Sequence, residues 1–176
     1  MTPDLRPAVD ADIAAIARIY ADAVTNGTAS FETEPPTLAE MARRRMALVA
    51  DGYPYLVAER DGAVCGYAYA GPYRARAAYR STVEDSVYVA EAARGLGIGR
   101  ALLAALIAAC EAIDARVMVA VITDPGSEAS VALHAGLGFA HAGVLENVGH
   151  KHGRWLGTVL MQRRLGPGPD AAPSRT

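Results

Sequence analysis

The strongest constraint on how this chain can fold is residues 87–103, VYVAEAARGLGIGRALL, where three glycines at alternate positions join an apolar, strand-like run to an apolar, helix-like run. Glycine adopts positive φ and permits close backbone approach, and a helix N-terminus carries unpaired N–H groups with partial positive charge. Such a junction can receive a phosphate, and it can equally be a tight strand-to-helix turn. The spacing is G-x-G-x-G, preceded by Arg94, and it follows several strands. A dinucleotide fingerprint needs G-x-G-x-x-G in a first strand-helix turn and an acidic residue about 20 positions on, and a Walker loop needs Gly-Lys-Ser/Thr. Neither pattern is present.

The segments on either side give an element order. DADIAAIARIYADAV (10–24) and TLAEMARRRMALVAD (37–51) carry helical stripes, with Asp10 as the expected cap of the first and Thr37 with Glu40 in capping-box spacing in the second. YLVAER and AVCGYAYAGPY flank Asp61-Gly62, the signature of a two-residue hairpin turn. TVEDSVYV precedes the glycine loop, and GRALLAALIAACEAI follows it as a helix apolar nearly all round, which predicts deep burial. RVMVAVI reads as a strand covered on both faces, SEASVALHAGLGF as a short helix closed by glycines, and AGVLENV and WLGTVLMQRRL as two last strands. The order β-α-α-β-β-β-α-β-α-β-β predicts an α/β (α+β) fold: a mixed, mostly antiparallel twisted sheet of about seven strands with about four helices. One domain is expected over residues 1–165, followed by a disordered tail at 166–176, GPGPDAAPSRT.

With 176 residues, 52% apolar composition and a net charge of -2, nucleic acid is not an expected partner. Prolines and aspartates interrupt the N-terminal segment, and no charge-free run reaches the roughly 18 residues of a membrane span, so a cytoplasmic protein is expected. Cys65 and Cys110 have no CxxC partner and no histidine at ligand spacing. They read as buried thiols, and no metal is expected.

Several blocks in order carry a resemblance. RGLGIGRALL resembles the R/Q-x-x-G-x-G/A loop of the GNAT superfamily of acyl-CoA N-acyltransferases, and SVALHAGLGF is similar to its fourth-helix signature. More narrowly, FETEPPT (31–37), TVEDSVYV (82–89) and KHGRWLGTVLMQ (151–162) resemble the phosphinothricin and methionine sulfoximine acetyltransferases. The resemblance implies the GNAT fold and direct transfer of acetyl from acetyl-CoA to the α-amine of a small L-amino acid or analogue. It also implies a homodimer with the substrate site near the subunit interface. On this resemblance the backbone N–H groups of Arg94, Gly95, Leu96, Gly97, Ile98 and Gly99 bind the pyrophosphate. Val87, Tyr88 and Val89 line the cofactor arm, with Ser130 and with Ser127, which stands where asparagine is common.

Such chemistry needs a deprotonated amine, a polarised carbonyl, a proton for the thiolate and alignment of both substrates. Strand alternation puts Thr82, Glu84, Ser86 and Tyr88 on one face, and Asp85 among valines on the other, a conflict that a bulge near Asp85 would relieve. Glu84 matches the family's proposed base. At about 100° per residue, Ser127, Ser130, Val131 and His134 share one side of their helix, opposite a stripe of Ala129, Ala132, Leu133, Gly136 and Leu137. His134 stands where many superfamily members have a tyrosine that protonates the thiolate, and is the expected general acid. Phe31, Arg74, Arg76, Thr82 and Glu84 form the expected substrate side, with arginine suited to a carboxylate or phosphinate. Two further readings are a protein or peptide N-acetyltransferase of the same fold and a non-catalytic acyl-CoA-binding regulator. The first needs an open peptide groove, and the second would be favoured by loss of Glu84 or His134.

Overall fold

In a computed structural model, which describes residues 3–172, seven strands form one sheet in the order β1-β2-β3-β4-β5-β7-β6. They are β1 (Asp4–Pro7), β2 (Tyr55–Arg60), β3 (Ala63–Pro72), β4 (Thr82–Val89), β5 (Val117–Asp124), β6 (Ala140–Lys151) and β7 (Arg154–Arg164). Four helices accompany them: α1 (Ile13–Asn26), α2 (Leu38–Ala50), α3 (Ile98–Ala112) and α4 (Glu128–Ala135). Every strand pair is antiparallel except β4 with β5. The predicted element order and mixed sheet are both present.

Local chemistry explains the junctions. Asp61 and Gly62 both have positive φ (52° and 76°), so the β2–β3 hairpin closes in two residues, as the sequence predicts. Thr37 accepts the backbone N–H of Glu40 at 3.2 Å and starts α2. Asp10 does not cap α1. It pairs with Arg45 at 2.8 Å, while Asp12 accepts the Val9 backbone N–H at 2.8 Å and two hydrogen bonds from Arg6. Gly168–Asp170 forms a single 3-10 turn within the expected tail, and residues 173–176 of that tail lie outside the described residues.

The sheet separates two cores. Tyr55, Val57 and Tyr67 face α1 and α2, whereas Ala58, Ala68 and Ala70 face α3. The small side chains on that second face let α3 come close: a Cβ on Gly66 would lie 3.1 Å from both Leu102 Cδ1 and the Tyr88 carbonyl oxygen. α3 buries one face only, through Ile98, Leu102, Leu103, Leu106, Ile107 and Cys110. Its alanines cover the outer side, so an all-apolar sequence does not here mean a helix buried all round. Close packing of α3 on β3 brings its N-terminus beside the end of β4.

Candidate active site

β4 and β5 pair for only three residues, Thr82 with Val117, Val83 with Met118 and Glu84 with Val119. Beyond Glu84 each strand keeps its outer partner, β4 with β3 as far as Val89 and β5 with β7 as far as Asp124, so the two diverge. A wedge opens with a cavity of about 150 Å³, walled by Asp85 to Tyr88 on one side and Ala120 to Thr123 on the other. Backbone groups of β4 facing that wedge have no β5 ladder partner, which suits an extended, amide-bearing ligand that pairs like an added strand.

A larger cavity of about 820 Å³ shares Ala29, Val87, Tyr88, Ser127 and Ser130 with the wedge and runs to the start of α3. Gly95 and Gly97 have φ of +75° and +79°, with nothing within 4 Å of an added Cβ, so left-handed backbone rather than lack of room calls for glycine here. α3 has no side-chain cap, leaving its first N–H groups free for an anion. Arg94, Gly95, Gly97, Ile98 and Gly99 line the cavity, and so does Arg100, which the sequence reading missed although it is the next residue of the loop. Leu96 is not among the lining residues and is 51% exposed.

The comparisons agree with this geometry. The family model described as "Acetyltransferase (GNAT) family" matches residues 15–139. The chain belongs to the GNAT acetyltransferase family. It is 54% identical over 164 residues to the phosphinothricin N-acetyltransferase of Alcaligenes faecalis, covering 93% of this chain and 83% of that protein. It is 44% identical over 168 residues to the L-methionine sulfoximine/L-methionine sulfone acetyltransferase of Pseudomonas paraeruginosa, covering 95% and 97%. A phosphinothricin acetyltransferase of Sinorhizobium meliloti, solved in complex with acetyl-CoA, superposes with a TM-score of 0.96 at 50% identity, covering 99% of this chain and 95% of that one. GNAT acetyltransferases use acetyl-CoA, and the glycine-loop cradle and the wedge of this chain fit that molecule.

Within this acetyltransferase the expected site residues fall on two sides of β4. Glu84 lies on the α1/α2 face with Thr82, Ser86 and Tyr88. Burial pushes its carboxyl above the usual range, the Asp85 charge adds to the rise, and the Arg74 guanidinium partly offsets it. Arg74 is exposed and lies over the Tyr73 ring at 5.1 Å, near enough to act on Glu84, whereas Arg76 is exposed at the start of the 3-10 turn Ala77–Tyr79. The Tyr88 ring turns into a tyrosine cluster, edge-on to Tyr20 at 5.1 Å and stacked on Tyr67 at 5.2 Å. Val87 and Val89 both pack on the α3 core and line the large cavity.

Two expectations on the other face need correction. The β3–β4 register is regular from Pro72–Val83 to Gly66–Val89, so there is no bulge at Asp85. Asp85 stays on the apolar face, buried, with Oδ2 3.0 Å from His134 Nε2. His134 does not point away from the core: it is the buried residue of α4, 4% exposed, while Ala129 and Ala132 of the supposed apolar stripe are exposed. Its Nδ1 lies 2.7 Å from the Ser130 carbonyl oxygen. Burial works against charge on the imidazole, but the Asp85 carboxylate and the Ser130 carbonyl outweigh it and the net shift is upward. Ser127 precedes the first turn of α4 and its side chain makes no cap bond, so its hydroxyl is not committed to the helix.

The segment from Thr28 to Phe31, beside the two cavities, is tied down by contacts that sequence spacing does not announce. Tyr20 Oη lies 2.8 Å from Ser30 Oγ, the Thr123 hydroxyl donates to the Thr28 carbonyl at 2.7 Å, and Lys151 Nζ donates to the Ser30 carbonyl at 2.7 Å. Lys151 is 4% exposed, and burial lowers its pKa. Phe31 packs against β6 at Gly149, where an added Cβ would lie 2.3 Å from its ring. Gly157 has a local cause: a Cβ there would lie 2.7 Å from the Leu145 carbonyl oxygen. Of the cysteines, Cys110 is buried and Cys65 only half-buried; both are free, and neither lines the wedge or the large cavity.

Proposed function

We propose that this acetyltransferase moves acetyl directly from acetyl-CoA to the α-amine of a small L-amino acid or analogue, of the phosphinothricin, methionine sulfoximine or methionine sulfone type. The observation that carries the reading is the wedge, lined by Asp85 and the buried His134 of α4, which opens just beyond Glu84, a half-buried carboxylate on the other face of β4. The named activities of the relatives support the choice of acceptor.

Bound acetyl-CoA supplies an acetyl thioester and a thiolate leaving group. The free N–H groups at the start of α3 and the loop Arg94–Gly99 hold its diphosphate, and the unpaired edge of β4 at Val87–Val89 aligns its arm in the wedge. Glu84, with its raised pKa, accepts a proton from the acceptor ammonium directly or through water. Arg74 holds the acceptor carboxylate or side-chain anion, while Thr82 and Phe31 bound the pocket, with Arg76 at its outer rim. His134 provides the proton that the departing sulfur needs.

The same reading makes the protein a cytoplasmic homodimer built from one acyltransferase domain over residues 1–165. Val144, Leu145, Val148 and Trp155 are each 46% to 62% exposed on β6 and β7, an apolar surface suited to a second copy. The two free cysteines suit a reducing compartment. No helix among the described residues is long and apolar enough to cross a membrane. A thiol-release assay with acetyl-CoA against free amino acids, their sulfoximine, sulfone and phosphinate analogues, and short peptides tests the acceptor class. Turnover with free amino acids or analogues is expected, and activity confined to peptides would refute the reading.

A further inference from the structure

We propose that Asp85 is a positioning residue for proton delivery, holding one proton jointly with His134 at the wall of the wedge. This rests on the reading of His134 as the proton donor to the departing thiolate.

Asp85 and Glu84 are neighbours on a regular strand and point to opposite faces. The Asp85 side chain is 2% exposed, and an isolated carboxylate at such depth is costly without a partner. Its partner is His134 Nε2 at 3.0 Å. On the opposite edge of the ring, Nδ1 sits 2.7 Å from the Ser130 carbonyl oxygen. A carbonyl only accepts, so Nδ1 carries a hydrogen and the tautomer is set. With the pair electrically neutral overall, a single proton lies between Nε2 and Oδ2, whichever of the two atoms carries it. Phe139 meets the imidazole edge-on at 4.9 Å and 85°, which restrains the ring plane.

Both ring nitrogens are therefore engaged, and the polar atom left over is Asp85 Oδ1, buried and without a hydrogen-bond partner. Asp85 and His134 both line the wedge cavity, so this pair is the part of the buried polar network that faces the expected position of the sulfur. The other groups around the pair do not compete for its proton. Cys110 of α3 has its thiol pushed up to about 12, chiefly by burial and then by the Asp85 charge, and stays neutral. Ser130 of α4 lies with its hydroxyl 3.4 Å from Nδ1, and Glu84 faces the opposite side of the sheet.

The proton count closes. As the acetyl carbon–nitrogen bond forms and the carbon–sulfur bond breaks, sulfur leaves with the electron pair and takes the proton of the Asp85–His134 pair. The acceptor ammonium gives up two protons, one before attack and one as the carbon–nitrogen bond forms; Glu84 accepts each in turn and passes it to solvent, solvent returns one to the pair, and one proton is released per turnover.

Asp85→Asn separates charge from shape: the amide keeps a hydrogen bond to Nε2 but leaves the ring neutral. Histidine-selective ¹⁵N NMR, with the His134 signal assigned by its loss in His134→Gln, reads the ring directly. The His134 pKa should fall by about one unit or more in Asp85→Asn, with kcat reduced ~10-fold or more and the acetyl-CoA KM within about twofold of the parent. Because the pair acts as a unit, the double variant Asp85→Asn/His134→Gln should be no slower than His134→Gln alone. If Asp85→Asn does not fold, Asp85→Glu in the same titration keeps the question open to measurement, since it should retain an elevated His134 pKa. An unchanged His134 pKa, or full additivity in the double variant, overturns the shared proton. An unchanged kcat in His134→Gln would instead overturn the reading of His134 as donor, independently of the NMR result.

Discussion

Glu84 and Asp85 are adjacent carboxylates on one strand, and the fold treats them in opposite ways. Glu84 lies toward α1 and α2, half-buried; burial and then the Asp85 charge raise its proton affinity, and the Arg74 charge partly offsets the rise. Asp85 lies toward α3 and α4, fully buried, with a histidine at 3.0 Å. In the proposed mechanism the first accepts a proton during turnover, and the second belongs to a pair that holds one and gives it up. What separates them is the material packed on each sheet face, which the local pattern TVEDSVYV does not reveal.

Removing either side of this arrangement should have the largest effects. Glu84→Gln and His134→Gln should each lower kcat by ~100-fold, with the acetyl-CoA KM nearly unchanged, measured by thiol release under saturating acetyl-CoA. A smaller effect is expected where backbone shape rather than proton transfer is disturbed. Gly97→Val forces a branched side chain into φ of +79°, and the acetyl-CoA KM should rise ~10-fold while kcat at saturation changes little.

Acceptor-side changes should move a different constant. Gly149→Ala would bring a Cβ to 2.3 Å from the Phe31 ring, and Phe31 must shift. The acceptor KM should rise by about three- to tenfold, with the acetyl-CoA KM unaltered; a rise in both would mean that the Phe31 segment supports the cofactor cavity as well.

The smallest effect concerns stability. Because the folded pKa of Glu84 is raised, the folded state binds more protons than the unfolded chain between the ordinary carboxylate pKa and the raised one. Stability therefore falls as pH rises through that window. Glu84→Gln removes the fall, so thermal melts should show its Tm advantage over the parent growing from acidic to neutral pH.

Much of the fold was legible because local rules and tertiary packing agree. Asp61-Gly62 can make a two-residue hairpin turn and does so, and Thr37 caps α2 as its spacing implies. The glycine loop was legible for the same reason, since positive φ at Gly95 and Gly97 is a backbone property written in residue type. The site's side chains were less so. In α4, alanines form a stripe that looks apolar but stays exposed, and the buried position goes to His134, held by Asp85 from a strand 49 residues earlier. The roles of Lys151 and Gly149 depend on the segment at Ser30 and Phe31, more than a hundred residues away in the chain and invisible to periodicity.

The central claim is that the two faces of β4 handle opposite proton transfers, and the pH dependence of kcat for the parent, Glu84→Gln and Asp85→Asn between about pH 6 and 8 tests it most directly. The rate deficit of Glu84→Gln should grow toward acidic pH, where more of the amine is protonated and a base is needed. The deficit of Asp85→Asn should shrink toward acidic pH, where the imidazole regains its proton from solvent. Two deficits that follow pH in the same direction, or that do not vary with it, would contradict the account.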